Sequence, residues 1–199
     1  MYTNPFGAFW DLPGVSDASN EQRLATGSSG LTFGALPLAD NPCTMKFTFN
    51  SHQTGVLNSN VTGPNTLVYF NVSSSTTTTT VSRKNGDVYA TVEWTRHPMM
   101  QIYGETGRIP TSHWISLSPD RTQRVVMIKG RYYYWIPRGT RICLYGDDDE
   151  TATISGEIAH ISRTDGEVSL NISLVAFNNG FLDACVLATV LFMSGRNID

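Results

Sequence analysis

Six basic side chains lie within one short region in the second half of the chain. An arginine guanidinium binds phosphate or carboxylate oxygens through two parallel hydrogen bonds, so several of them on neighbouring hairpins are typical of an anion site. The pattern therefore predicts binding of an anionic lipid or phosphoinositide-type head group. The candidate residues are Arg121, Arg124, Lys129, Arg131, Arg138 and Arg141. The alternative is scattered surface arginine, some of it paired with acidic residues nearby.

Aromatic residues are concentrated in the same region, with four in succession at positions 132–135. Side chains on a strand alternate between its two faces, so about half of these rings are expected to be exposed. Exposed tyrosine and tryptophan rings can stack on a sugar ring, which makes a lectin-like, carbohydrate-binding protein the alternative to a lipid-binding one. The candidates for glycan stacking are Trp114, Tyr133 and Trp135. Packing in the core is the other interpretation of these rings.

The sequence contains no motif for catalysis or metal binding. Its four histidines lack the HxH and HExxH spacings of zinc sites, and no GxSxG, Walker or GxGxxG segment is present. The acidic run at positions 147–150 lacks the alternating carboxylates of a calcium loop, and we interpret it as a solvated turn. We therefore expect a protein that is not an enzyme and that needs neither a cofactor nor a metal.

Composition limits the cellular context and the partners. The formal net charge of the 199 residues is -3, so there is no overall positive field to attract nucleic acid. The three cysteines are far apart and odd in number, which is typical of reduced thiols. The amino terminus lacks the basic start and apolar run of a signal peptide, and no apolar stretch is long enough to span a bilayer. We expect a cytoplasmic protein with no transmembrane segment.

The chain divides into an arm and one domain. Residues 1–43 contain four prolines and a GSSG stretch, and they predict an irregular amino-terminal arm. Its aromatic residues Phe6, Phe9 and Trp10 make it too apolar for a simple tail, so we expect it to dock on the domain or on a partner, such as a second copy. Residues 44–199 are expected to form a single β-rich domain.

Strand signals recur through that domain. Asn85-Gly86 between two alternating segments is a strong signal for a tight hairpin. About ten strands with frequent turns and no alternating helices favour an antiparallel barrel or sandwich. The predicted strands are 45–49, 66–72, 79–84, 87–94, 100–103, 114–117, 124–128, 132–136, 141–145, 151–161 and 168–177.

The segment at about 181–193 is apolar nearly all round. A helix without a polar face must be buried on every side, and thirteen helical residues span only about 20 Å, too little for a membrane. We therefore predict an antiparallel β-barrel that encloses a short hydrophobic C-terminal helix. A β-sandwich with a final buried strand is the alternative.

Several of these pieces resemble a known family. The segments TLVYFNV, SRKNGDVYATVEW, RYYYWIPRG and FLDACVLATVLFMSGR, in this order, resemble an uncharacterised domain family of small proteins from mushroom-forming fungi, over about residues 45–197. The terminal segment is also similar to the last helix of the tubby-like superfamily, which includes LURP-one-related proteins and phospholipid scramblases. That second resemblance implies a barrel around a hydrophobic C-terminal helix and assigns no binding residue.

These observations predict a non-enzymatic intracellular binding or interaction module of unknown ligand. An anionic lipid head group is the first hypothesis and a glycan is the second. A structural or self-associating protein, with a homo-oligomer formed through the arm, is the third.

Overall fold

The fold consists mainly of β-strands in one sheet. The computed structural model describes residues 44–51, 55–147 and 156–199. The predicted arm, His52 and positions 148–155, including most of the acidic run and the start of the strand predicted at 151–161, lie outside these residues. The strands are β1 Thr44–Ser51, β2 Ser59–Thr62, β3 Val68–Ser74, β4 Thr78–Arg83, β5 Val88–Glu93, β6 Met99–Ile102, β7 Ile109–Pro110, β8 Ile115–Leu117, β9 Arg124–Ile128, β10 Arg131–Arg138, β11 Arg141–Gly146, β12 Glu157–Thr164 and β13 Glu167–Ser173. The helices are α1 Thr111–Trp114, α2 Leu174–Asn178 and α3 Leu182–Met193.

All thirteen strands pair antiparallel in a single sheet. Their order is β7-β6-β5-β4-β3-β2-β1-β13-β12-β11-β10-β9-β8. Consecutive strands are therefore sheet neighbours except β7 and β8, and β1 pairs with β13 in the middle of the sheet. The two edge strands, β7 and β8, are consecutive in the chain and are separated only by the four residues of α1. Four helical residues extend about 6 Å, so the two edges of the sheet lie close together.

The sheet is nevertheless not closed into a barrel, and the predicted closure by hydrogen bonds is wrong. No ladder joins β7 to β8 in the described residues. Pro110, the last residue of β7, has no N–H to donate, and proline is tolerated in strands at edges for that reason. The helical turn of α1 then separates the two edges where a thirteenth ladder would be needed.

The hairpin predicted at Asn85-Gly86 is present, with one change of face. Gly86 has φ 91°, a conformation that the tight turn requires and that glycine adopts without strain. The register shifts between Val81 and Ser82, which is a β-bulge. The bulge directs Tyr89 into the core and leaves Val88 exposed, although Ala90 and Val92 of the same strand are buried.

The C-terminal segment forms a helix. Ten of the twelve residues of α3 are buried, and the hydroxyl of Thr189 donates to the Cys185 carbonyl 2.8 Å away, so the apolar surroundings contain no unsatisfied hydroxyl there. Phe192 packs edge-on against Trp135 of β10 with ring centroids 5.6 Å apart. The strand predicted to run to Phe177 instead ends at Ser173. The Ser173 side chain accepts a hydrogen bond from the Ala176 N–H, so Ser173 caps the start of α2.

Polar contacts hold both ends of the C-terminal segment to the sheet. At the start of α3, Arg83 of β4 binds Asp183 at 2.6 Å. Beyond its end, Arg196 donates to the carbonyls of Ser75 and Thr76 between β3 and β4. Asp199 binds Arg124 of β9. The segment therefore contacts strands from both halves of the sheet.

The contact between Arg124 and Asp199 predicts a large effect on stability. Arg124 is fully buried, and its two terminal nitrogens donate to the two carboxylate oxygens of Asp199 at 3.0 and 2.6 Å. Asp199→Asn removes the charge that compensates a buried guanidinium. Because Asp199 is itself partly exposed, we expect a loss of about 2–4 kcal/mol in the free energy of unfolding, measured by urea titration.

The exposed pair of Lys46 and Glu167 provides the control. Both side chains are more than half exposed, so Glu167→Gln should change the same free energy by less than about 1 kcal/mol. Equal losses in the free energy of unfolding for the two variants would contradict the prediction that the buried ion pair stabilises the fold more than the exposed one.

Candidate functional site

One end of the sheet carries the candidate site, and we call it the α2 end. It is the end where β1 begins and β13 passes into α2. An open cleft of about 710 Å³ lies there, between β3, β4 and the two helices α2 and α3. Its volume falls in the range of small-molecule sites. The lining residues are Leu67, Val68, Tyr69, Phe70, Arg83, Lys84, Asn85, Phe177, Leu182 and Asp183.

The rings of Tyr69 and Phe177 line the apolar wall of the cleft, and a third, buried ring packs against both. Phe47 of β1 contacts Tyr69 of β3 edge-on at 5.1 Å and stacks on Phe177 of α2 at 6.0 Å. Gly63 makes this packing possible, because a Cβ atom at that position would lie 2.6 Å from the Tyr69 ring and 2.7 Å from the Phe47 ring. The wall therefore depends on residues from four separate parts of the chain.

The cleft is also lined by Arg83, whose positive charge is paired with Asp183 of the same chain. Arg83 donates to Asp183 through both Nε, at 3.2 Å, and Nη2, at 2.6 Å, and its guanidinium lies 5.1 Å from the centre of the Tyr89 ring. The hydrogen bond to Asp183 raises the pKa of Arg83 above its ordinary value. Burial raises the pKa of Tyr89, so this phenol stays neutral.

Lys84 is the cation that remains for a ligand. It follows Arg83 at the turn of the hairpin, it is exposed, and its ammonium pairs with no carboxylate of the described residues. Its backbone N–H donates to the Tyr69 carbonyl, which fixes the residue at the mouth of the cleft. The cleft thus combines an apolar wall with one available positive charge at its edge.

Exposed apolar side chains are concentrated around this end. In the described part of the chain, all the large hydrophobic residues with high exposure belong to strand ends or connections at the α2 end. They are Leu67, Val88, Tyr103, Met127, Tyr132, Leu174 and Val175. Exposed apolar residues grouped on one side of a protein mark an interaction surface more often than single ones do. We call these seven residues the apolar rim.

The predicted basic set is divided between the two ends of the sheet and does not form one site. Arg121, Arg138 and Arg141 lie at the end opposite α2: Arg121 is in the turn between β8 and β9, and Arg138 and Arg141 are opposite each other in the ladder of β10 and β11. Lys129 and Arg131 lie at the α2 end, and Lys129 donates to the Asn179 carbonyl.

Arg124 is not a surface residue, contrary to its place in the predicted anion site. Its guanidinium is buried and binds the Asp199 carboxylate and the Ile115 carbonyl. The sequence pattern identified an arginine that binds a carboxylate, but that carboxylate belongs to the same chain.

The predicted glycan-stacking rings are buried, so they are not available to a sugar. Trp114 and Tyr133 are each 9% exposed and Trp135 is 1% exposed. Tyr133 packs edge-on against Phe181 at 5.0 Å, because this face of β10 points toward α3. The side chains of β10 do alternate between buried and exposed, as predicted. The exposed ring, however, is Tyr132 and not Tyr133 or Trp135.

A cluster that the sequence did not reveal lies on β11 and β12. Cys143 is directly opposite His160 in the ladder, and the Nδ1 of His160 lies 2.6 Å from Glu157. A thiol beside a histidine and a carboxylate suggests nucleophilic chemistry, which requires a thiolate. Burial, and then the negative charge of Glu157, raise the pKa of Cys143 to about 11. The thiol therefore stays protonated at neutral pH and is a poor nucleophile.

Metal and membrane features are limited in the described residues. No group of three or more potential ligands from histidine, cysteine and acidic side chains comes together there. Of the predicted acidic turn, only Asp147 is described. None of the helices in this part of the chain has the length and apolar character that a membrane span needs.

A family model described as "Family of unknown function (DUF6593)" matches residues 54–197. No curated protein has a sequence that matches this chain. An X-ray structure of a protein from Arabidopsis thaliana aligns with 74% of this chain and 92% of its own, at 12% identity and a TM-score of 0.38. That score is too low to assign a fold.

The raised pKa of Cys143 predicts slow alkylation. At pH 8 a pKa of about 11 leaves roughly 100-fold less thiolate than an ordinary cysteine has, so carbamidomethylation by iodoacetamide should be slower by a similar factor. The measurement is the peptide-resolved rate in the folded protein, by mass spectrometry, between pH 7 and 11.

Glu157→Gln should speed this reaction because it removes a negative charge beside the sulfur, and Glu167→Gln on β13 serves as the control. If the alkylation rate of Cys143 stopped rising near pH 8.5, its thiol would have an ordinary pKa, which would contradict the expected effect of burial.

Proposed function

We propose that this chain, which belongs to the family of unknown function DUF6593, is a non-enzymatic binding module for an amphiphile with an anionic head group. The single observation that carries the proposal is the cleft at the α2 end, which joins an apolar wall to the available ammonium of Lys84. Small-molecule sites combine apolar walls and a few polar groups in this way. The alkyl chain lies against Leu67, Tyr69 and Phe177, and the head group lies beside Lys84.

The chemistry of the lining favours this class of ligand. A purely apolar ligand gains nothing from Lys84, and a purely ionic ligand gains nothing from an aromatic wall that would have to be dried on binding. A ligand with both parts uses both sides of the cleft. The proposal keeps the lipid-type ligand expected from the sequence and moves its site from the basic turns to the hairpin of β4 and β5.

We further infer that the sheet surrounds α3, as the tubby-like resemblance implies. Two observations support this arrangement: α1 joins the two edge strands, and α3 contacts both β4 and β10. An experimental structure with β7 and β8 on opposite sides of the molecule would refute it. The buried free thiols of Cys143 and Cys185 fit a reducing compartment, so the cytoplasm is the proposed location.

Titration with dodecyl phosphate below its micellar concentration tests the function. Calorimetry should detect binding to the full chain, and Lys84→Ala should weaken it by about fivefold, because one charge-assisted contact to an exposed group is lost. Leu67→Asp should weaken it further by placing a carboxylate at the apolar wall.

Two controls match these variants. Arg121→Ala removes one exposed positive charge at the opposite end of the sheet, and Thr140→Asp adds one carboxylate at that same end, in the exposed turn between β10 and β11. Neither should change the affinity by more than about twofold, the effect of distant charges that salt screens. Absence of binding, or equal weakening by Arg121→Ala and Lys84→Ala, would refute the proposal.

A further inference from the structure

The arm joins the domain next to the cleft. Residue 43 precedes Thr44, the first residue of β1, and Thr44 pairs with Ser173, the residue that begins α2. Three residues further along β1, about 10 Å in an extended strand, Phe47 packs against the aromatic wall. The forty-three residues of the arm are therefore attached at the end of the sheet that carries both the cleft and the apolar rim.

The chemistry of the arm matches that of the cleft. The arm has one arginine and four acidic residues, Asp11, Asp17, Glu21 and Asp40, so its formal charge is -3, which equals the charge of the whole chain. Its most aromatic segment, FGAFWD at residues 6–11, places Phe6, Phe9 and Trp10 immediately before Asp11. An aromatic group followed by a carboxylate has the same two parts as an apolar ligand with an anionic head.

We propose that residues 6–11 of the arm occupy the cleft of their own chain, with the rings against the aromatic wall and Asp11 beside Lys84. The arm is thus an internal ligand, and any external amphiphile must displace it. The inference goes beyond the proposed function, since it requires no external ligand to exist.

The length of the arm permits this contact. Thirty-three residues separate Trp10 from Thr44. A random-coil link of this length would have a root-mean-square span of about 30 Å, which is longer than the roughly 10 Å of β1 between Thr44 and Phe47. Such a link keeps its end at an effective concentration of the order of millimolar, so even a weak contact is substantially occupied. A second copy of the protein at micromolar concentration competes poorly with an attached segment.

Fluorescence of Trp10 in the full chain tests the inference. The difference between the wild type and Trp10→Phe isolates this residue from the other three tryptophans. We expect its emission to be blue-shifted and its quenching by acrylamide to be several-fold weaker than in a synthetic peptide of residues 1–20. Leu67→Ser and Lys84→Glu, both exposed positions in the cleft lining, should each restore peptide-like quenching. Met127→Ser, at an exposed position of β9 in the other half of the sheet, and Arg121→Glu are the matched controls and should leave Trp10 protected.

Each other outcome overturns the inference. Trp10 that is as accessible as in the peptide shows an undocked arm. Protection that grows with protein concentration indicates a second copy, and protection only after addition of anionic vesicles indicates a membrane surface. Protection unaffected by Leu67→Ser and Lys84→Glu places the arm elsewhere.

Binding of dodecyl phosphate distinguishes a failure of this inference from a failure of the proposed function. If both proposals hold, replacing Phe6, Phe9 and Trp10 by serine increases the affinity for dodecyl phosphate several-fold. A protected Trp10 without any binding of dodecyl phosphate, even in the serine variant, supports the internal ligand and refutes the external one.

Discussion

The burial of α3 is the constraint on which the rest of the structure depends. All residues of this twelve-residue helix except Asp183 and Met193 are buried. Such an apolar helix is not stable in water by itself and must be covered by other elements. The sheet supplies apolar contacts such as that of Trp135 with Phe192, and ion pairs lie near both ends of the helix. Asp183 at the start binds Arg83, and Asp199 beyond the end binds Arg124. The two arginines belong to opposite halves of the sheet, so the C-terminal segment is held to both halves.

The cleft follows from that arrangement. Asp183 lies in the first turn of α3, where a carboxylate interacts favourably with the helix dipole, and the arginine that it binds is the last residue of β4. The next residue in the chain, Lys84, is thereby placed at the edge of an apolar depression. Gly63 contributes by leaving room for the rings of Phe47 and Tyr69 to meet. A site of this kind is formed by the same contacts that stabilise the fold.

Local patterns in the sequence predicted much of the fold, and non-local geometry explains what they missed. The Asn85-Gly86 hairpin and the helix at the end of the chain depend on neighbouring residues, so they were recognisable. The face of β10 was not, because Tyr132 and Tyr133 have nearly the same chemistry and only the position of α3 decides which one is buried. The cleft is lined by residues 67–70, 83–85, 177, 182 and 183, and no spacing in a single sequence indicates such a contact. Arg124 was identified as an anion ligand, but its partner lies 75 residues away.

The short edge strands have a consequence for association between chains. An exposed edge of a β-sheet offers unpaired N–H and C=O groups to any extended peptide, and long edges favour aggregation. Here the edges are only two and three residues long, one ends in a proline, and α1 occupies the space between them. A thirteen-stranded sheet thus presents almost no template for growth by strand addition. In the described part of the chain, the threonine- and valine-rich sheet therefore has edges that disfavour the addition of a strand from a second copy.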